Sequence, residues 1–173
     1  LGDWNPSTSS LTLTTLSAYW RYPESSLEVM EQVRVAIVDD HEAVRLGFAG
    51  ACKQFDFELV GSAPTVSELL EQIEGKDCEV VVTDLSLADG SLVSENVERL
   101  VDAGPAVLIF SIADKQSLMR SALLAGATAI VPKSQPMSEL AEAIRLAAQG
   151  IIINNPETLS LIHISEPTRL LSI

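Results

Sequence analysis

Val80-Val81-Val82-Thr83-Asp84 is a β-branched run that ends on a carboxylate. Such a run fits a strand buried on both faces, as in a parallel sheet. Leu85-Ser86-Leu87-Ala88-Asp89-Gly90 then turns the chain. In open α/β sheets, ligands and chemistry collect outside the carboxyl ends of the strands. A single Asp at a strand end is common without any chemistry. Its weight here comes from three other strand ends that supply matching groups.

Upstream, Val33-Arg34-Val35-Ala36-Ile37-Val38 reads as a strand running into Asp39-Asp40-His41. Val44, Phe48, Ala51 and Phe55 then recur at helical spacing, Phe57 to Gly61 reads as a second strand, and Val66, Leu69, Leu70 and Ile73 mark a helix capped by Thr65 or Ser67. Downstream, Val93, Val97, Leu100 and Val101 mark a third helix closed by Gly104-Pro105. Ala106 to Phe110 is a fourth buried strand that delivers Ser111 at its carboxyl end. A helix from about Asp114, carrying Leu118, Ala122 and Leu123, stops at Gly126. Ala129-Ile130-Val131 is a fifth strand ending at Pro132-Lys133, and a last helix opens near Pro136, with Leu140, Ala141, Ile144 and Ala148 on one face, and ends at Gly150. Five β-then-α units specify an α/β fold, a doubly wound five-stranded parallel sheet.

Charge limits the partners. The 173-residue chain carries a formal charge of −13, and residues 30–150 alone hold 19 acidic against 9 Lys and Arg residues. Such a surface repels phosphate backbones, so these residues should not bind nucleic acid directly. Cys52 and Cys78 lack a C-x-x-C spacing and a neighbouring His, which reads as free thiols in a reducing compartment. No apolar run approaches the ~18–20 residues of a membrane-spanning helix, and no signal peptide is visible, so a cytoplasmic location with no membrane partner is expected.

Projected onto one sheet edge, Asp39, Asp40, Asp84, Ser111 and Lys133 converge. Three carboxylates in one cleft cannot all stay ionised without a cation. Hard oxygen ligands with room for water suit Mg²⁺. Lys133 adds positive charge and Ser111 a donor, an arrangement fit for an Asp nucleophile attacking a phosphoryl group. Simpler roles serve the remaining polar residues: His41 as a helix-start residue, Glu42 and Arg45 as a solvated face, Asp89 in a turn, and Asp114 as a cap.

At these residues the chain resembles the receiver domain of bacterial two-component response regulators. The resemblance is carried by Val38-Asp39-Asp40-His41, Val82-Thr83-Asp84-Leu85, Phe110-Ser111 and Val131-Pro132-Lys133-Ser134, spread over residues 33–150. The acidic pair followed by His, and Lys133 followed by Ser, are most similar to the NarL/FixJ (LuxR-type) branch. The resemblance implies a flavodoxin/CheY-like strand order 2-1-3-4-5, with Asp84 accepting phosphate from a sensor histidine kinase. It implies that Asp40 binds Mg²⁺ directly, Asp39 largely through water, and the Ser86 carbonyl as a further ligand. Lys133 would pair with the phosphoryl group and Ser111 would swing toward it. Homodimers are compatible with the family, and DNA would be reached only through a C-terminal helix-turn-helix domain. Three positions depart from the common pattern: the loop after Asp84 is short, Ile112 follows Ser111 where a small residue is frequent, and Ile130 stands where an aromatic is usual.

Residues 30–150 are therefore expected to be the receiver domain. Residues 1–29, ten of them Ser or Thr and without a sustained period, are expected to be a poorly ordered leader; an amphipathic arm using Leu11, Leu13, Leu16, Trp20 and Tyr22 is the competing reading. Residues 151–159 read as the start of an interdomain linker. Residues 160–173 resemble the translation of a sequencing-library adapter, so a truncated transcriptional regulator is expected and no function is read from His163. Two alternatives stay open: a stand-alone receiver acting as a phosphate sink or partner-binding module, and an Asp-nucleophile phosphohydrolase. The latter class usually carries an Asp two residues after its nucleophile, where Ser86 stands.

Overall fold

The computed structural model describes residues 32–112 and 116–152. The readings of 1–29, of Asp114, of most of the linker at 151–159 and of the 160–173 tail lie outside the described residues. Five strands, β1 (Arg34–Val38), β2 (Glu58–Ala63), β3 (Val80–Thr83), β4 (Ala106–Ser111) and β5 (Ala129–Pro132), alternate with five helices. The helices are α1 (Glu42–Phe55), α2 (Val66–Ile73), α3 (Val93–Asp102), α4 (Gln116–Leu124) and α5 (Met137–Ala148). All strand pairs are parallel, in the order β2-β1-β3-β4-β5.

The two-residue period of the strands sorts the core into two layers. Val35, Ile37, Val80, Val82, Leu108, Phe110, Ala129 and Val131 pack with α1 and α5. Ala36, Val38, Val81, Val107, Ile109 and Ile130 pack under α2, α3 and α4. Val80, Val81 and Val82 are all buried, one side chain or another facing each layer, which is why β3 has no polar alternation. Each such burial contributes about 1.5–3 kcal/mol. Thr65 caps α2, its hydroxyl accepting from the Glu68 N–H at 3.3 Å, one of the two caps expected.

Several boundaries and faces differ from the sequence reading. β2 continues to Ala63, and its register against β1 skips Val60: Leu59 pairs with Val35 and Gly61 with Ala36. Val101 lies at the surface of α3, whereas Asn96 is buried. Asn96 is accommodated because its amide donates to Ser91 Oγ at 2.7 Å, and Ser91 in turn donates to Asp89 Oδ1 from both its N–H and its hydroxyl. These bonds tie the loop after Asp84 to α3 and hold the Asp89 carboxyl below its ordinary range, so Asp89 serves the turn as expected. In α1 the buried residues are Phe48 and Cys52, with Val44, Ala51 and Phe55 only half-buried. Both thiols are free. No helix among the described residues is long and apolar enough to cross a membrane.

Gly61 sits where β2 comes nearest α2: a Cβ there would stand 2.8 Å from both Ile73 Cγ2 and Leu69 Cδ1. Those two side chains are buried and cannot retreat into solvent. Gly61→Ala should therefore destabilise the domain by about 1–3 kcal/mol, read as a lower urea midpoint with an unchanged slope. An unchanged midpoint would show that α2 shifts freely on the sheet.

Candidate functional site

The site is built by strand ends that remain hydrogen-bonded one residue past the sheet. Val38 pairs with Thr83 in register, so Asp39 and Asp84 leave adjacent strands side by side. The Asp84 N–H donates to the Val38 carbonyl at 3.0 Å, and the Asp39 N–H to the Ala63 carbonyl at 3.2 Å. On the other side, the Lys133 N–H donates to the Ser111 carbonyl at 2.9 Å. The backbone under each functional side chain is thus an extension of the ladder, with little freedom to move.

Lys133 closes the site. Its ammonium donates to Asp39 Oδ2 and Asp84 Oδ2, each at 2.7 Å, across 94 and 49 residues of sequence. The Asp39 side chain is 2% exposed, that of Asp84 10% and that of Lys133 17%. Burial opposes the charge on Lys133, but the two carboxylates outweigh it through hydrogen bonds and charge, so its pKa lies above the ordinary 10.5. The Phe110 ring lies 6.0 Å beneath the ammonium. Asp84 Oδ1 accepts from the Leu85 N–H at 2.6 Å, which fixes the rotamer and leaves Oδ2 on the lysine side.

The acidic pair divides its contacts. Asp39 Oδ1 accepts from the His41 N–H at 2.8 Å, so both of its oxygens are engaged. Asp40 Oδ1 is buried and accepts no hydrogen bond. One ligand atom each from Asp39, Asp40, His41 and Asp84 lies within 4.8 Å of all the others. Such an oxygen-rich cluster can hold a hard divalent cation.

Asp39, Asp40, Asp84 and Lys133 are therefore brought together as expected. Ser111 is buried at the end of β4 on the same edge, but its hydroxyl makes no hydrogen bond to Asp84 or Lys133. Ser86 is exposed in the loop two residues past Asp84. Arg45 is more than a solvated face: it is half-buried and its guanidinium donates to the Asp39 carbonyl at 2.6 Å. Its place one turn into α1, beside the end of β1, was the available signal. Glu42 is exposed, as read. His41 does start α1, yet its ring also faces the carboxylates, which helical spacing alone does not show.

A doubly wound sheet with a lysine clamped between strand-end carboxylates defines the class, and comparison with known proteins gives the family. The profile of the response regulator receiver domain matches residues 35–145. The chain is 34% identical over 124 residues to the DNA-binding transcriptional activator DevR/DosR of Mycobacterium tuberculosis, covering 68% of this chain and 55% of that protein. It is 32% identical over 119 residues to the transcriptional regulatory protein UhpA of Salmonella typhimurium, covering 68% and 60%. Among solved structures it resembles the signal receiver domain of the response regulator NarL from Mycobacterium tuberculosis, with a TM-score of 0.62 and 27% identity over 69% of this chain and 98% of that one. A LuxR-family two-component response regulator from an Aurantimonas species gives a TM-score of 0.65 and 27% identity over 76% and 95%. The chain therefore belongs to the response regulator receiver domain family, with relatives among the NarL/LuxR-type regulators, as the sequence motifs implied. It spans little more than half the length of the two curated relatives.

These contacts set an alkaline limit to stability. Burial first, against weaker hydrogen-bond effects, pushes the Cys52 and Cys78 thiols from 9.0 up to about 11. Groups with raised folded-state pKa values stabilise fully below their unfolded values and lose that contribution as pH climbs through the folded ones. The thermal midpoint should therefore begin to fall near pH 9 as unfolded thiols ionise, and fall further above 10.5 as the lysine of the unfolded chain loses its proton while folded Lys133 still holds its own. Replacing both cysteines by Ala should remove the early part of the decline, and Lys133→Met the later part. A flat profile to pH 11 would contradict this electrostatic account.

Proposed function

We propose that Asp84 is the phosphoacceptor of this receiver, taking a phosphoryl group from the phosphohistidine of a sensor histidine kinase. The observation that carries this is the Lys133 ammonium held at 2.7 Å from Asp84 Oδ2 on a rigid strand end. Oδ2 attacks phosphorus, the bond from phosphorus to the imidazole nitrogen breaks, and an aspartyl phosphate forms while the kinase imidazole leaves. Oδ1, bonded to the Leu85 N–H, becomes the carbonyl oxygen of the acyl phosphate. Lys133 stays charged throughout and turns from Asp39 toward the phosphoryl oxygens, where Ser111 can add a donor.

The pocket fits Mg²⁺. Three carboxylates and one lysine leave a formal charge of −2, which one divalent cation offsets, and the buried Asp40 Oδ1 accepts no hydrogen bond. Asp40 and Asp84 would ligate it directly, Asp39 through water because its own oxygens are engaged, and the Ser86 carbonyl would add a further ligand. Bound there, Mg²⁺ supplies charge neutralisation at the transferring phosphoryl group.

In the intact parent the output is transcription, as the names of the relatives indicate for those proteins. Residues 30–150 form the receiver, and DNA is contacted by a helix-turn-helix domain beyond the linker, not by this acidic body. The parent works in the cytoplasm, and its only catalysis is its own phosphorylation and dephosphorylation. The phosphohydrolase alternative needs an acid where Ser86 stands.

Incubation with a small phosphodonor and Mg²⁺ should label Asp84 alone, as mapped by mass spectrometry. Asp84→Asn should abolish the label, and Asp40→Ala should abolish Mg²⁺-dependent labelling. Labelling that survives Asp84→Asn sinks the assignment. Output should also depart from that of aromatic-bearing receivers. Ile130 is only 6% exposed and packs beneath α4 near Ile109 and Met119, with no ring to swing between inward and outward rotamers. With a beryllofluoride mimic, sedimentation should show at most a weak homodimer, and amide shifts should stay small over α4 and β5. A tight dimer with large shifts there would contradict this.

A further inference from the structure

We propose that His41 is a ligand of the acidic pocket through Nδ1, and that this nitrogen makes the pocket prefer a first-row transition cation such as Mn²⁺ to Mg²⁺. The inference rests on the metal role given above to Asp39, Asp40 and Asp84, and adds a donor and a selectivity to it.

His41 occupies the N-cap position of α1 with an extended backbone (φ −85°, ψ 111°), but its side chain makes no capping hydrogen bond. Capping is what a polar side chain ordinarily does there. The ring is instead turned toward the strand end, with Nδ1 2.9 Å from Asp40 Oδ1 and 3.2 Å from Asp39 Oδ1. The backbone that delivers it is anchored, because the His41 N–H donates to Asp39 Oδ1 at 2.8 Å. The longer contact, to Asp39, is a hydrogen bond, whereas Asp40 Oδ1, though closer, gains none from Nδ1.

Nδ1 bonds Asp39 Oδ1, but Nδ1 and Asp40 Oδ1 stand 2.9 Å apart with no hydrogen bond between them, placed as neighbouring ligands of one ion are. Around an octahedral cation with bonds of roughly 2.1 Å, adjacent ligand atoms stand roughly 3 Å apart and opposite ones roughly 4.2 Å. The 2.9 Å separation of Nδ1 from Asp40 Oδ1 matches the adjacent distance, and the four-residue cluster, within 4.8 Å throughout, spans the opposite one with little adjustment. A ring 67% exposed can make that adjustment at small cost.

Imidazole discriminates between cations. Mg²⁺ takes oxygen ligands and keeps its water, whereas first-row transition ions gain from a nitrogen donor along the Irving–Williams order. Three carboxylates alone give a site for Mg²⁺; three carboxylates and an imidazole give one that also suits Mn²⁺. Selectivity then resides in one residue adjoining the acidic pair.

Mn²⁺ itself is the probe, bound to the full chain and read by pulsed electron paramagnetic resonance. The native protein should show ¹⁴N modulation from a directly bound imidazole, and His41→Asn, which keeps a good helix-start residue, should lose it. By calorimetry His41→Asn should weaken Mn²⁺ about tenfold and Mg²⁺ by less than about twofold, in line with the size of ligand-set effects at metal sites. Absence of ¹⁴N modulation in the native protein, or equal changes for both cations, overturns the proposal. A variant that binds both cations more tightly overturns it too, since His41 would then be a competing partner of the carboxylates. Asp40→Ala separates the two levels. If it abolishes binding of both cations while no nitrogen coupling is seen, only the His41 inference fails. If cation binding survives Asp40→Ala, the metal reading of the pocket fails with it.

Discussion

The Lys133 ammonium between Asp39 and Asp84 is the contact on which the rest of the site depends. Two carboxylates that leave adjacent strands are forced together by the parallel ladder, whatever their charge. In a half-dry cleft their repulsion is large, and the desolvation of each adds to it. A cation must come from somewhere. The fifth strand supplies it, because its register against β4 brings Lys133 to the same edge as Ser111. Without that lysine the pocket would be a cluster of like charges at the end of a rigid sheet.

One cation does not balance three carboxylates. The residue left over is Asp40, whose buried oxygen has no hydrogen bond. Native proteins keep few such atoms, and those they keep mark places where folding stability has been traded for function. Here that imbalance sits in a cluster of Asp39, Asp40, His41 and Asp84 whose ligand atoms could hold a divalent ion.

The surroundings decide how far a change at this site can travel. Population shifts require an element with two arrangements that contact the phosphoryl group differently. The loop after Asp84 is pinned to α3 through Asp89, Ser91 and Asn96. On the far side, Ile130 is packed aliphatic core. α1 is tied to the acidic pair through His41 and Arg45 instead. Among the described residues, β5 reaches the same site through Lys133 at its end.

Much of this was legible in the residues. Strand runs ending in Asp, Ser and Lys, separated by stretches of helical period, determined the alternating α/β order, and the parallel sheet followed from the five β-then-α units. The meeting of Asp39, Asp40, Asp84 and Lys133 was also legible, since parallel strands deliver all their carboxyl ends to one edge. The tertiary structure alone decided how those groups share their contacts. That Lys133 bonds Asp39 as well as Asp84, that Arg45 reaches a backbone carbonyl, and that Asn96 turns inward while Val101 does not, depend on distances between segments far apart in sequence. The turn of the His41 ring away from its helix toward the carboxylates is of the same kind. Periodicity specifies which face a residue is on; charge pairing and local hydrogen bonding across elements choose where its side chain goes, and no spacing along one segment encodes that choice.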